Sequence, residues 1–237
     1  MINLESKDFS RKTYVVSLGG SLLFKGKKFD VHYVLSFVDF IKRFIKKNPK
    51  VRFVLAVGGG ALAREYINAL RELNVNDEFY LDRVGLEVAN LNALVVLESF
   101  KDLVYRKVVR NPFYKPKTNK KVVVYAGYKP GISSDYVASA CAKAYGSKVL
   151  FNLTDVDYLY DKDPKKSKSA KKIERISWPE FIKMAGNFSS GKHFPFDPIA
   201  SRFCLKNNIS VVIMNGKDFK NIKNAFNGRR FKGTLIR

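Results

Sequence analysis

Three glycine-bearing segments could cradle phosphate: LGGS at 18–21, VGGGA at 57–61 and AGYKPG at 126–131. Without a Cβ, backbone N–H groups can approach an anion closely. A helix that starts just after such a turn adds the positive end of its dipole. One glycine turn is ordinary, whereas three point to a polyphosphate or to two phosphorylated ligands. Asp135 follows the third turn in PGISSD, and Asp155, Asp157, Asp161 and Asp163 crowd LTDVDYLYDKDP. Acids are scarce in this chain, so such a cluster after a strand reads as more than solvated surface. Glycine turns with a few carboxylates in a cationic setting suit phosphoryl transfer, which runs on positioning and charge neutralisation. Magnesium bridging phosphate oxygens needs only one or two carboxylates.

Other chemistries find less support. Neither GxxxxGK[ST] nor GxGxxG occurs, which counts against a P-loop or a Rossmann dinucleotide enzyme. His32 and His193 stand apart from other ligand types, so no zinc-site spacing is present. Cys141 and Cys204 form neither a metal pattern nor a disulfide framework, and they read as buried free thiols in a reducing cytoplasm.

The elements that must position these residues alternate along the chain. Strand-like apolar runs cover 13–18, 51–57, 121–125, 148–153 and 209–214, with a short final run at 233–236. Helical spacing covers 31–45, 61–73, 82–100, 134–145, 198–206 and 218–226, with Ser133 or Ser134 capping the fourth. Strands without polar alternation, interleaved with helices, predict a mainly parallel sheet covered on both faces. The expectation is therefore an α/β fold, a single αβα sandwich domain over 1–237. In such sheets ligands sit beyond the carboxyl ends of the strands, where these glycine turns fall.

The chain has 237 residues, of which 44 are basic and 21 acidic, a net charge of +23. That field concentrates anions, so nucleotides, nucleic acid and anionic lipid are all candidate partners. Residues 106–121 hold seven basic residues and no acid. This run reads first as a solvated loop, with a nucleic-acid patch as its alternative. No apolar run reaches the roughly 18 residues of a membrane span, and the N-terminus has no apolar core of a signal peptide.

The ordered set GGS, VGGGALAR, PGISSD, NLTDVDYLYDKDP, DPIA and GTLI resembles the amino-acid-kinase superfamily across almost the whole chain. Within it, the pattern is most similar to archaeal-type uridylate (UMP) kinases. The resemblance implies transfer of the ATP γ-phosphoryl group to UMP, a step of pyrimidine nucleotide biosynthesis. It further implies Mg2+ carried mainly on the ATP phosphates, no dedicated protein metal site, a cytoplasmic location and a homohexamer. The N-terminal part would form the acceptor side and roughly 150–237 the ATP side. ATP would be held by Gly19, Gly20, Ser21, Gly60, Arg64, Thr154, Tyr160 and Asp163. UMP would be held by Gly59, Asp82, Gly127, Tyr128, Lys129, Pro130, Gly131, Ile132 and Ser133. Asp135, Arg64 and Asp197 would form the reacting centre, although Asp197 before Pro198 is equally a helix N-cap.

The chain departs from that pattern in several places. Bacterial members carry a lysine where Ser17 stands, which leaves Lys25, Lys192 or Arg64 as the cation at the transferred group. Tyr158 replaces a glycine, Tyr136 replaces a small residue, and an arginine expected after Asp82 is absent from LEVANLNAL. The alternatives are a sibling kinase acting on isopentenyl phosphate and a non-catalytic nucleotide- or RNA-binding module. The former family carries a histidine close to the second glycine turn, and VGGGALAR has none.

Overall fold

The computed structural model describes residues 2, 4, 13–162, 167, 169–186 and 196–237. Asp163, Lys192 and His193 lie outside the described residues. A seven-stranded sheet runs in the order β5-β4-β1-β6-β10-β11-β9. Its strands are β1 (Thr13–Leu18), β4 (Arg52–Val57), β5 (Val122–Tyr125), β6 (Val149–Thr154), β9 (Arg175–Ile176), β10 (Ser210–Asn215) and β11 (Thr234–Ile236). Two hairpins complete the strands: β2 (Phe24–Lys25) with β3 (Lys28–Phe29), and β7 (Leu159–Tyr160) with β8 (Lys172–Ile173). The five strands from the β5 edge to β10 are parallel, and β11 returns antiparallel to β10.

Register aligns the strand ends. Leu18 pairs with Val57 on one side and Leu153 on the other, and Asn215 pairs with Thr154. Every turn that follows β1, β4, β5, β6 and β10 therefore opens on one rim.

Among the described residues are seven α-helices: α1 (Val31–Lys47), α2 (Gly60–Glu72), α3 (Glu78–Ser99), α4 (Ser134–Tyr145), α5 (Trp178–Gly186), α6 (Pro198–Lys206) and α7 (Phe219–Phe226), with α2 packed on α3. Side chains of α1, α3 and α7 bury one core with Val16 and Leu18, while those of α4, α5 and α6 bury a second with Val15. Successive residues of β1 point to opposite cores, which explains an apolar run without polar alternation. Among the described residues no helix is long and apolar enough to cross a membrane.

Several element ends differ from expectation. Helix α3 starts at Glu78 because the Asp77 carboxylate caps it, accepting from the Phe79 N–H at 2.8 Å. Helix α5 and the two hairpins were not expected from pattern. Two-residue strands carry no periodicity, and α5 begins at Trp178-Pro179, where a proline tolerated in the first turn reads as a break.

Candidate active site

The first two glycine turns touch. A Cβ built on Gly20 would lie 2.2 Å from the Gly60 nitrogen, and one on Gly60 would lie 2.4 Å from the Gly20 carbonyl oxygen. Gly60 also has φ +65°, which L side chains rarely adopt. The turns are tied to the sheet by Gly19 N–H to Leu153 O at 3.1 Å and Gly58 N–H to Leu18 O at 3.4 Å. Gly59 is the N-cap of α2, so the first amides of that helix open onto the same rim. Ser21 is half-buried in the short helical turn Gly20–Leu23.

Asn92 holds the second turn from below. This buried α3 side chain donates from Nδ2 to Gly58 O at 3.0 Å and to Gly59 O at 2.9 Å. It was not among the expected site residues. The available signal was a buried-type polar residue inside the apolar stretch ANLNALVV.

Asp135 lies in the first turn of α4 behind the glycine turns. Its Oδ1 accepts from the Ser17 hydroxyl at 3.1 Å and its Oδ2 from the Asp197 N–H at 3.2 Å. Burial pushes the Asp135 carboxyl up to about 7. The Asp197 amide and the Ser17 hydroxyl pull it down, whereas the Asp197 charge pushes it up. Asp197 caps α6 through its carboxylate, which accepts from the Ala200 N–H at 2.7 Å. It is the helix cap that its place before Pro198 predicts, and its backbone N–H is what reaches Asp135.

The third turn lies over α3. The Gly131 N–H donates to Asp82 Oδ2 at 2.6 Å, which joins two residues expected on the acceptor side. Gly127 has φ +50°, and a Cβ there would lie 2.5 Å from the Asn90 side chain. Ile132 N–H donates to Lys129 O at 3.2 Å, and Ser133 Oγ caps α4 by accepting from the Tyr136 N–H at 3.2 Å. Tyr128, Lys129 and Pro130 line a cleft of about 720 Å³ together with Tyr66, Phe79 and Arg83. Tyr136 packs its ring on Phe203 of α6, 5.0 Å between centroids, which accommodates the larger side chain away from the rim.

On the other side of the rim, Thr154 ends β6 and its carbonyl accepts from the Gly216 N–H at 2.8 Å. Tyr160 stands half-buried in β7. Tyr158 is nearly buried beneath Lys172, whose Nζ lies 5.1 Å from the ring centroid. Arg64 is exposed on α2 and pairs with no carboxylate among the described residues, while Lys25 is exposed in the first hairpin. The structure thus brings together Gly20 with Gly60, Asp82 with Gly131, and Asp135 with Asp197. Among the described residues the Arg64 side chain makes no hydrogen bond or ion pair with any of them.

The basic run at 106–121 is largely used internally. Arg106 pairs with Glu98, and Arg110 forks onto Glu87 at 3.1 and 2.9 Å. Lys120 and Lys121 donate to the carbonyls of Asp102 and Pro49, and Lys115 lies 5.1 Å from the centre of the Tyr145 ring. Those contacts fix a loop against the sheet edge.

A mainly parallel αβα sandwich whose first two strand-end turns meet glycine to glycine, with a half-buried carboxyl behind them, defines a phosphate-handling α/β fold. The chain belongs to the amino acid kinase family, whose model matches residues 12–215. Among its relatives, the uridylate kinase of Methanobrevibacter smithii is 34% identical over 226 residues, covering 94% of this chain and 97% of that one. The uridylate kinase of Pyrococcus abyssi is 31% identical, covering 94% and 98%. The crystal structure of uridylate kinase from Archaeoglobus fulgidus superposes with a TM-score of 0.81 at 29% identity, covering 96% of this chain and all of that one. UMP kinase from Ureaplasma parvum, at 20% identity and TM-score 0.77, shares the fold.

Proposed function

We propose that this chain is a uridylate kinase that transfers the γ-phosphoryl group of ATP to UMP, giving ADP and UDP. An oxygen of the UMP phosphate attacks the γ-phosphorus, the bond from that phosphorus to the bridging oxygen breaks, and the electron pair stays on the ADP β-phosphate. The observation that carries this reading is the contact of Gly20 with Gly60 at the strand-end rim, with Asp135 behind it. Two bare backbones there leave room for two phosphate groups end to end.

The roles follow from that placement. Gly19, Gly20, Ser21 and Gly60 cradle the transferred phosphates, and the N-terminal amides of α2 favour their charge. Arg64 swings from α2 to neutralise phosphate oxygens through its guanidinium fork. Asp82 and the 127–133 loop hold the acceptor, with Gly59 at its phosphate. Thr154, Tyr160 and Asp163 hold the donor nucleoside. Asp135 orients the reacting centre, and Asp197 supports it through its amide. No covalent enzyme intermediate is needed.

Magnesium fits as a passenger of the nucleotide. Among the described residues no three His, Cys, Asp or Glu side chains cluster to hold a metal, and magnesium typically takes most of its ligands from phosphate and water. When bound, it neutralises charge on the β- and γ-phosphates.

The molecule acts as a single domain, the acceptor side lying N-terminal to about residue 150. Both cysteines are free and buried, which supports a reducing cytoplasmic setting. Assembly as a homohexamer draws support from α3, which exposes Phe79, Tyr80, Leu91, Leu94 and Val95. Light scattering tests that assembly; a monomer at micromolar concentration would refute it.

A coupled assay of ADP release tests the activity, with UMP, CMP, isopentenyl phosphate, glutamate and carbamate as acceptors. UMP is expected to give the highest kcat/KM. Turnover of another acceptor with none of UMP would overturn the assignment.

A further inference from the structure

Ser17 lies on the central strand β1, on the face covered by α4. In register it stands between Ala56 of β4 and Asn152 of β6, and it is 1% exposed. Its hydroxyl donates to Asp135 Oδ1 at 3.1 Å while the Asp197 N–H donates to Oδ2 at 3.2 Å. The two carboxylate oxygens are therefore held by donors from separate elements, the middle of the sheet and the start of α6. A serine has one side-chain torsion that places its oxygen, so a rigid strand sets where the donor stands. The main-chain carbonyl of Asp135 is gripped as well, accepting from the Ser139 hydroxyl at 2.7 Å.

We propose that Ser17 is a positioning residue for phosphoryl transfer, its hydroxyl fixing the orientation of the Asp135 carboxyl at the reacting centre. This inference rests on the kinase reading above. A hydrogen bond donated to a carboxylate also stabilises its charged form, here against the burial that opposes ionisation. The other groups facing Asp135 offer no such help beyond the Asp197 amide. The Asp197 carboxylate repels it, and the Cys204 thiol further along α6 is spent on Ser139 Oγ at 3.2 Å. Among the described residues no cationic side chain contributes to holding Asp135 ionised.

The test compares Ser17→Ala, Ser17→Thr and Asp135→Asn with the unmodified enzyme. Turnover is measured with saturating ATP, magnesium and UMP across pH about 5.5–9. Ser17→Ala is expected to lower kcat at neutral pH about tenfold and to move the acidic limb up by about one unit, with KM for both substrates within about twofold. Ser17→Thr keeps the hydroxyl and should restore the limb. Adding Ser17→Ala to Asp135→Asn should cost nothing further, because the group being positioned is already gone. A Ser17→Ala limb superimposable on that of the unmodified enzyme overturns the proposal, as does Ser17→Thr shifting it equally. Should Ser17→Ala not fold, Ser17→Cys takes its place, since a thiol is a weak donor and should shift the limb in the same direction. Carbon-13 titration of the Asp135 carboxyl separates this inference from the kinase reading. If the protein fails to phosphorylate UMP, that reading falls, while an Asp135 titration unchanged by Ser17→Ala overturns the inference itself.

Discussion

Gly20 and Gly60 meet backbone to backbone, the Gly20 position leaving only 2.2 Å between an added Cβ and the Gly60 nitrogen. No side-chain adjustment can relieve that approach, because both partners are main chain. Gly20→Ala should push the first two turns apart and lower kcat/KM by about 100-fold or more, as small displacements of positioning groups do. Gly60→Ala adds the strain of a positive φ and should also lower the unfolding midpoint. Steady-state kinetics with thermal unfolding checks both; a Gly20→Ala enzyme with unaltered kcat/KM contradicts the geometry.

Asn92 bridges two carbonyls of the second turn from inside the core. Asn92→Leu keeps the volume but leaves Gly58 O and Gly59 O without this donor. A stability loss of about 1–3 kcal/mol is expected, with a fall in kcat as the turn loosens. Urea unfolding and the pre-steady-state rate report the two effects separately.

Asp135 is expected to make the fold itself pH-dependent. Its folded value, about 7, lies above its ordinary 3.8, so the native state prefers the protonated carboxyl. The stabilisation is complete below pH about 4 and is lost as pH rises through about 7. Asp135→Asn should therefore lower turnover by about 100-fold, leaving a measurable residual rate, yet stabilise the protein above neutral pH by on the order of 2–4 kcal/mol. Denaturant midpoints compared at acid and alkaline pH decide it; equal midpoints for the two proteins at alkaline pH would refute the shifted carboxyl.

Asp82 grips the Gly131 amide of the third turn. Asp82→Ala should raise KM for UMP about tenfold or more while leaving KM for ATP within about twofold, as expected if the proposed acceptor and donor sites lie on opposite sides of the rim. Equal effects on both constants would show that Asp82 serves the whole rim instead.

Arg64 carries no partner among the described residues and is exposed on α2. Arg64→Ala should cost nothing in stability but reduce kcat by about 100-fold, a signature of a cation engaged only by bound phosphate. Arg64→Lys should recover part of it, because an ammonium keeps the charge but not the fork.

Much of this molecule is legible along the chain. Glycine turns stand at strand ends because only a residue without Cβ allows backbones to approach so closely, and Ser133, Asp197 and Asp218 mark helix starts by their short polar side chains. Those are local signals, written over a few neighbouring residues. Helix α3 is mostly visible too, except that its start depends on Asp77 rather than on the apolar stretch that follows.

What the chain order could not tell is which side chains meet. Ser17 stands out only as the place of a missing lysine, with nothing to say what its hydroxyl meets, and Asn92 reads as a polar lapse in an apolar helix. Their partners come from residues far away in sequence and are chosen by sheet register and helix packing. The basic run at 106–121 looks like a free cationic surface, and it becomes a bound loop only where Glu87, Glu98 and the Pro49 carbonyl arrive from other elements. Local propensity acts over a turn or two, so the sequence by itself determined the main strands and helices, their order and the glycine turns, but not α5 or the two short hairpins. Hydrogen bonds between distant groups exist only once the strands are side by side, so the tertiary structure alone decided that Asp135 is held from two sides at the rim.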